Sequence, residues 1–182
     1  IEAVLMRHDY GNSVCISSQV GCNMGCKFCE SGRRKKVRNL GTYEMVLQLL
    51  MIEKLLGERI SHVVVMGIGE PFDNYDNLIH FFEIINHPKG MAIGARHITV
   101  STCGVVPKIL DFAKKNLQVT LSISLHSAND SVRESMMPIN KKYSIKELMD
   151  ACSTYVKSTN RRITFEYALV RGVNDRDKDA YS

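Results

Sequence analysis

The sequence predicts an α/β protein built on a parallel sheet. Three observations carry that expectation: five short runs rich in β-branched residues, longer segments of helical periodicity between them, and a polar or glycine-rich stretch after each of the first four runs. No linker, constant-length repeat or low-complexity tract divides the series, so the 182 residues are expected to form one domain of about five βα units.

The strand candidates are residues 14–17, 62–66, 97–101, 119–124 and 163–170. The first helix is expected over 43–56, where Val46, Leu49, Leu50, Glu53 and Leu56 recur at helical spacing behind Thr42 as N-cap. Residues 78–86 form the second. The third, 106–115, opens with Pro107 in its first turn, where no N–H is needed, and the fourth, 145–159, is capped by Ser144. Residues 175–182 are polar and read as the opening of a further helix. With no initiator Met and a last strand that would leave apolar edge uncovered, the sequence is expected to be a segment of a longer protein. In barrels and open α/β sheets alike, ligands bind at the carboxyl ends of parallel strands. Residues 21–29, 67–71, 101–104 and 124–127 are therefore expected to share one pocket.

Composition is that of an ordinary globular protein, 45% hydrophobic and 24% charged, which argues against disorder and fibrous folds. No run has the apolar length of a membrane span, and Ile1-Glu2-Ala3-Val4-Leu5 lacks the regions of a signal peptide. The expected address is the cytoplasm, with no membrane partner. Net charge is +5, and its placement matters more than its size. Lys27, Arg33, Arg34, Lys35, Lys36 and Arg38 face Glu30 alone over that stretch, which accounts for the whole excess. Such a loop either attracts a polyanion or is simply solvated.

Six cysteines in a chain of this size do not point to a disulfide framework, because three of them form the Cys-x3-Cys-x2-Cys run Cys22, Cys26 and Cys29. Three thiolates on one loop can hold three corners of a cubane iron–sulfur cluster and leave the fourth iron open. Structural zinc, which wants four ligands and has only His8 nearby as a candidate, and ordinary thiols are the alternatives. Taken alone, Gly69-Glu70-Pro71 is a turn after a buried strand or a close approach to a ligand with a carboxylate for a cationic amino group. His126 is a satisfied buried histidine or a ligand contact. Cys103 and Cys152 read as packing thiols.

The triplet does not stand alone. Cys15-Ile16-Ser17-Ser18-Gln19-Val20-Gly21-Cys22, Met66-Gly67-Ile68-Gly69-Glu70-Pro71, Val100-Ser101-Thr102-Cys103-Gly104-Val105-Val106-Pro107, Ser124-Leu125-His126, Met137-Pro138-Ile139-Asn140-Lys141-Lys142-Tyr143, Phe165-Glu166-Tyr167 and Gly172-Val173-Asn174-Asp175 follow in order along the chain. Together they resemble the radical S-adenosylmethionine (SAM) enzymes that methylate adenosine in RNA, the RlmN/Cfr family. The triplet by itself marks radical SAM enzymes in general, whereas the set is specific to this family.

The resemblance implies a partial (β/α) barrel of the radical SAM type, residues 1–182 being its core without the N-terminal accessory domain and the C-terminal end of the barrel. It implies that Cys22, Cys26 and Cys29 hold a [4Fe-4S] cluster whose fourth iron chelates SAM. One electron, from a donor such as flavodoxin or ferredoxin, then yields methionine and a 5'-deoxyadenosyl radical. Gly69, Glu70, Ser101, Ser124, Leu125 and His126 become SAM contacts. Glu2 matches the proposed general base, and Cys15 the cysteine that resolves a covalent enzyme–RNA adduct by forming a disulfide. The methyl-carrying cysteine and a further SAM-contacting asparagine of the family fall beyond the last residue. Two departures stand out: Glu30-Ser31-Gly32 after the third cysteine, where small or hydroxylated residues are usual, and an unusually basic loop after it.

The expected function is methylation of adenine carbon 2 in large-subunit ribosomal RNA, with tRNA as a second substrate, by a monomeric protein. Carbon 8, the antibiotic-resistance (Cfr) type, is the alternative. Gly69-Glu70-Pro71 and Pro138-Ile139-Asn140-Lys141-Lys142-Tyr143 favour carbon 2, while Ile1-Glu2-Ala3-Val4 and Asn23-Met24-Gly25-Cys26-Lys27-Phe28-Cys29 occur in close form in the other. From a different class, a non-catalytic iron–sulfur or zinc RNA-binding module would keep the triplet and the basic loop. It would not need Gly69, Glu70, Ser101 and His126 in one pocket.

Overall fold

The computed structural model describes residues 1–181; of the helix expected over 175–182, Ser182 lies outside the described residues. The chain opens with an antiparallel hairpin, β1 (Val4–His8) and β2 (Gly11–Cys15), in which Val4 lies opposite Cys15. Next come β3 (Gln19–Val20) and β4 (Arg38–Asn39), a short ribbon that brackets the cysteine loop, and then α1 (Thr42–Leu56) and β5 (Ile60–Val65). The alternation continues with α2 (Tyr75–Asn86), β6 (Ile98–Thr102), α3 (Val106–Lys115) and β7 (Thr120–Ser124). It ends with α4 (Asp130–Met136), α5 (Ile145–Thr159), β8 (Ile163–Glu166) and α6 (Asp177–Ala180).

The main sheet runs β1-β2-β5-β6-β7-β8, and from β2 onward every neighbour is parallel and follows in chain order. Right-handed crossovers that always step the same way put α1, α2, α3 and α5 on one side of the sheet, the winding of a (β/α) barrel. Val14, Val63, Val65, Ile98, Val100, Leu121 and Ile123 point to that side and join the helices in a single core. Its centre is aromatic: Phe112 stacks on Tyr155 with centroids 6.0 Å apart and packs against Phe72 at 5.5 Å. Side chains one residue out of step, Ser13, Ser101, Ser122 and Ser124, face the inner side, where a pocket can form. Cys152 sits in the core as a packing thiol, and Cys103 is buried with Met136 and Met137.

The five expected parallel strands are present, with corrections at their ends. The first is Gly11–Cys15 rather than 14–17, and β1 before it was not foreseen because its residues are too exposed to alternate. The fifth ends at Glu166 rather than 170, because the Asn174 side chain takes the backbone that would have continued the ladder: Nδ2 donates to the Ala168 carbonyl at 2.9 Å and Oδ1 accepts from the Val170 N–H at 2.7 Å. Helix α1 is capped by Gly41, whose N–H donates to Glu44 at 2.8 Å; Thr42 is its first residue and spends its hydroxyl on the Asn77 carbonyl. Leu50, expected inside, lies outside with Tyr43, Leu47, Met51 and Leu55, while Met45, Gln48 and Leu49 face the core. Helix α2 starts at Tyr75 rather than 78, and α4 was not expected at all. It is seven residues long, capped by the Asn129 side chain on the Val132 N–H. Ser144 caps α5 as expected, with Glu147 closing the reciprocal bond.

Replacing Phe112, which is 1% exposed, by Ala removes the stacked ring and leaves a cavity, so Phe112→Ala is expected to lower unfolding free energy by about 3–5 kcal/mol. Leu55→Ala, at a position 82% exposed, stays within about 0.5 kcal/mol of wild type. Urea unfolding followed by circular dichroism measures both.

Candidate active site

The cysteine loop is pinned at both ends. The Val37 N–H donates to the Val20 carbonyl at 2.7 Å and the Cys22 N–H to the Arg34 carbonyl at 3.0 Å. Gly21 makes this closure possible: its φ is +76°, and a Cβ there would stand 2.3 Å from the Lys35 carbonyl oxygen. Inside the loop, Cys29 N–H donates to the Cys26 carbonyl at 3.2 Å, and the Lys27 N–H reaches the Met136 carbonyl at the end of α4 at 2.9 Å. Cys22, Cys26 and Cys29 line one cavity, and Gly69, Glu70, Ser101, Ser124 and His126 line it with them. Of the residues implied by the resemblance, the cavity leaves out Leu125, Cys15 and Glu2.

Burial first, and then the neighbouring Cys29, Cys22 and Glu70 charges, push the Cys26 thiol up to about 12; burial also raises Cys22. Thiols crowded in this way become good ligands when a cationic centre takes their protons. Among the described residues, no three His, Cys, Asp or Glu side chains converge to hold a single metal ion. Zinc would draw its ligands to about 2.3 Å from one centre, whereas a cubane gives each cysteine its own iron, so this donor set fits the cluster better. All six cysteines are free, and the disulfide implied for Cys15 is absent from this structure.

Glu70 is fully enclosed and acts as a strap between loops. One carboxylate oxygen accepts from the Phe72 N–H at 3.0 Å, the other from the Cys103 N–H at 2.8 Å, and its own N–H donates to Gln19 Oε1 at 2.9 Å. Burial raises its pKa, and the N–H donors oppose that rise. The freedom of Gly69 serves the same junction: at φ +111°, a Cβ would lie 2.6 Å from Gln19 Cβ. The close approach is to the protein's own loop.

His126 stands at φ +57°, an uncommon backbone conformation for a residue other than glycine. Asn174, buried, enforces it by donating to the His126 carbonyl at 2.6 Å. The His126 Nδ1 accepts from the Ala168 N–H at 2.9 Å, so in the neutral ring the hydrogen is on Nε2. Burial depresses the imidazole pKa, which keeps the ring neutral, and Phe28 packs edge-on at 4.7 Å. Leu125 has its own place: its N–H donates to the Glu166 carbonyl at 3.1 Å and its carbonyl accepts from Arg133 Nε at 3.0 Å.

Arg133 was invisible to sequence reasoning, being one basic residue on an unforeseen short helix. It is 0% exposed, and Nη2 donates to the Cys103 carbonyl at 2.7 Å and the Ser124 carbonyl at 3.2 Å, Nη1 to Asn140 Oδ1 at 2.8 Å. Asn174 and Glu166 lay within quoted motifs without a role.

Glu2 and Cys15 lie apart. The Glu2 backbone is tied to Ser17, whose hydroxyl donates to the Glu2 carbonyl at 2.6 Å, and its side chain is exposed along a groove with Arg34, Lys35 and Val37. Cys15, half-buried at the end of β2, has its thiol pKa raised by burial. Within the basic loop, Lys36 pairs with Asp73 at 2.6 Å, Arg38 chelates Glu44 at 2.6 and 2.7 Å, and Arg33 meets Glu30 at 3.2 Å. Arg38 and the Gly41 N–H hold the Glu44 carboxyl at about 2. Lys27, Arg34 and Lys35 have no ion pair among the described residues.

Comparison with known proteins agrees with this architecture. The model of the Radical SAM superfamily matches residues 16–182. A probable dual-specificity RNA methyltransferase RlmN of Spiroplasma citri is 58% identical over 183 residues, covering 99% of this chain and 53% of that protein. The Clostridium perfringens protein of the same name is 58% identical over 182 residues, covering 100% and 52%. The chain spans about half the length of the curated relatives it matches. The crystal structure of a radical SAM methyltransferase from Sphaerobacter thermophilus superposes with a TM-score of 0.94 at 45% identity, over 98% of this chain and 53% of that one. The family match begins directly after β2 and runs through every loop that lines the cavity, and the chain belongs to the radical SAM superfamily.

Proposed function

We propose that this chain is the catalytic core of a radical SAM enzyme that methylates adenine carbon 2 in large-subunit ribosomal RNA and in tRNA. The observation that carries the reading is the convergence of three cysteines with Glu70, Ser101, Ser124 and His126 on one cavity. An electron-transfer or zinc module has no use for the second set. The names of the relatives, RNA methyltransferases at 58% identity, support RNA as substrate. A [4Fe-4S] cluster with SAM on its open iron supplies, when bound, a one-electron route to breaking an unactivated C–H bond.

The chain's own residues bind, orient and shield. Cys22, Cys26 and Cys29 would hold the cluster, which would keep one iron open to SAM. Ser101, Ser124 and the His126 Nε2–H offer hydrogen-bonding groups at the strand ends, and Gly69 and Glu70 shape the wall between them. Phe28 and Met137 add apolar surface to the cavity wall. Lys27, Arg34 and Lys35 attract the RNA backbone, and Glu2, which shares a groove with Arg34 and Lys35, takes the proton lost from the methylated carbon. Cys15, once deprotonated, attacks the sulfur of the methyl-carrying cysteine, so that an S–S bond forms as the carbon–sulfur bond to RNA breaks and the released carbon takes up a proton to become the product methyl. The cluster requires an outside one-electron donor of the flavodoxin or ferredoxin class. The protein acts as a monomer in the cytoplasm.

Anaerobic reconstitution with iron and sulfide is expected to give a reduced-state cubane paramagnetic resonance signal that shifts on adding SAM and is lost in Cys26→Ala. Zinc without inorganic sulfide would end this reading. Arg34→Ala with Lys35→Ala is expected to weaken RNA binding and to flatten the plot of log affinity against log salt by about 1.4 to 1.8, one counterion per lost phosphate contact. An unchanged slope would place the RNA elsewhere. For the full-length protein, mass spectrometry of adenosine from treated RNA is expected to show methylation at carbon 2; a carbon 8 product would assign it to the other branch.

A further inference from the structure

Glu166 ends β8 and turns its side chain to the inner face, where three serines meet it. Oε1 accepts from Ser101 Oγ at 2.9 Å and from Ser122 Oγ at 2.7 Å, and Oε2 accepts from Ser124 Oγ at 3.0 Å. Ser101 Oγ and Ser124 Oγ lie 3.3 Å apart, and Ser122 Oγ also lies 3.4 Å from the Thr164 carbonyl. Hydrogens are the scarce item here. Three hydroxyls supply three, an ionised carboxylate supplies none, and all three are drawn to the carboxylate because hydrogen bonds to a charged acceptor are the stronger ones. None is left for the contact between Ser101 and Ser124.

Ser101, Ser124 and Glu166 line the cavity, while Ser122 is 1% exposed behind them. The wall they present therefore has unused lone pairs on both serines and on Glu166 Oε2, and no donor. It repels a carboxylate or phosphate and accepts a group that brings two adjacent donors. Under the reading above, the ammonium of SAM belongs at the open iron, which leaves the adenine amino group and the ribose diol; the two N–H bonds of an amino group diverge too widely from one nitrogen to meet serine oxygens 3.3 Å apart, whereas two neighbouring hydroxyls suit that spacing. Resting on that reading, we propose that Glu166 sets the direction of the Ser101 and Ser124 hydroxyls so that the cavity selects the 2'- and 3'-hydroxyls of a ribose. Glu166 is a specificity residue, and a cross-link of β6, β7 and β8 only secondarily.

The test is isothermal titration calorimetry of the cluster-reconstituted, unreduced protein, under anaerobic conditions, with SAM and with its 2'-deoxy and 3'-deoxy forms. Wild type is expected to prefer SAM to at least one deoxy form by about tenfold or more, as for a lost hydrogen bond to a charged acceptor. Glu166→Gln keeps the shape but brings an N–H₂ against the serine donors. It is expected to weaken SAM by about tenfold, to bind the deoxy form as wild type does, and so to bring the preference close to one. Wild type binding all three ligands alike overturns the inference alone. So does Glu166→Gln that keeps the preference, or that weakens all three equally, as a purely structural role would. Wild type that binds none of them overturns the SAM reading and the inference with it. If Glu166→Gln does not fold, Glu166→Asp, which keeps the charge and withdraws it by one methylene, is expected to lose the same preference; its retention overturns the inference.

Discussion

A guanidinium with no carboxylate partner among the described residues sits wholly inside this protein, and the architecture of the site depends on how it is satisfied. Arg133 reaches from α4 to the carbonyls of Cys103, Ser124 and Leu125 and to the Asn140 side chain. A buried charge stripped of such acceptors costs several kcal/mol, of the order of 3–5 when one partner of a buried interaction is removed. The loops that follow β6 and β7 are thus held by the charge itself. From there the network is continuous. The Cys103 N–H binds Glu70, the Glu70 N–H binds Gln19, and Gln19 Nε2 donates to Asn39 and Asp73, which in turn meets Lys36. Every strand-end loop around the cavity is within a few bonds of one cation.

Periodicity made the scaffold legible. β5 to β7 are apolar on a buried face and β8, though partly exposed, opens on the β-branched pair Ile163 and Thr164, and each lies within two residues of its expected start. Pocket convergence followed from strand direction alone, and the cysteines, Glu70, Ser101, Ser124 and His126 do share one cavity. What escaped sequence reasoning depends on partners far along the chain. Arg133 bonds to Cys103 30 residues away, Asn174 to His126 at 48, and Glu166 to Ser101 at 65. None leaves a local pattern. Leu50 failed for a different reason: α1 is apolar around much of its circumference, so spacing did not say which side faces in.

Charge shows the same division between composition and contact. Six basic residues from Lys27 to Arg38 suggested one electropositive surface, yet Arg33, Lys36 and Arg38 are engaged with Glu30, Asp73 and Glu44. Lys36 and Arg38 help to fix the loop against the sheet, while Lys27, Arg34 and Lys35 keep their field for a partner. Exposed pairs of this kind contribute little stability, about 0–1 kcal/mol each, so their effect is on shape more than on folding. The surface that remains positive is narrower and closer to Glu2 than a count of residues implies.

The one-way order of the sheet governs how the protein comes into being on the ribosome. The cavity joins residues from Cys22 to Glu166, and Asn174, eight residues further on, locks His126. Parallel strands depend on contacts distant in sequence, which form slowly and late. During synthesis the cysteine loop emerges early and waits in water while more than a hundred further residues are added. The pocket closes over it only when β8 joins the sheet. A metal centre delivered before that moment meets an open loop of thiols, and one delivered afterwards meets a finished, sheltered seat; the timing of assembly is written into the order of the strands.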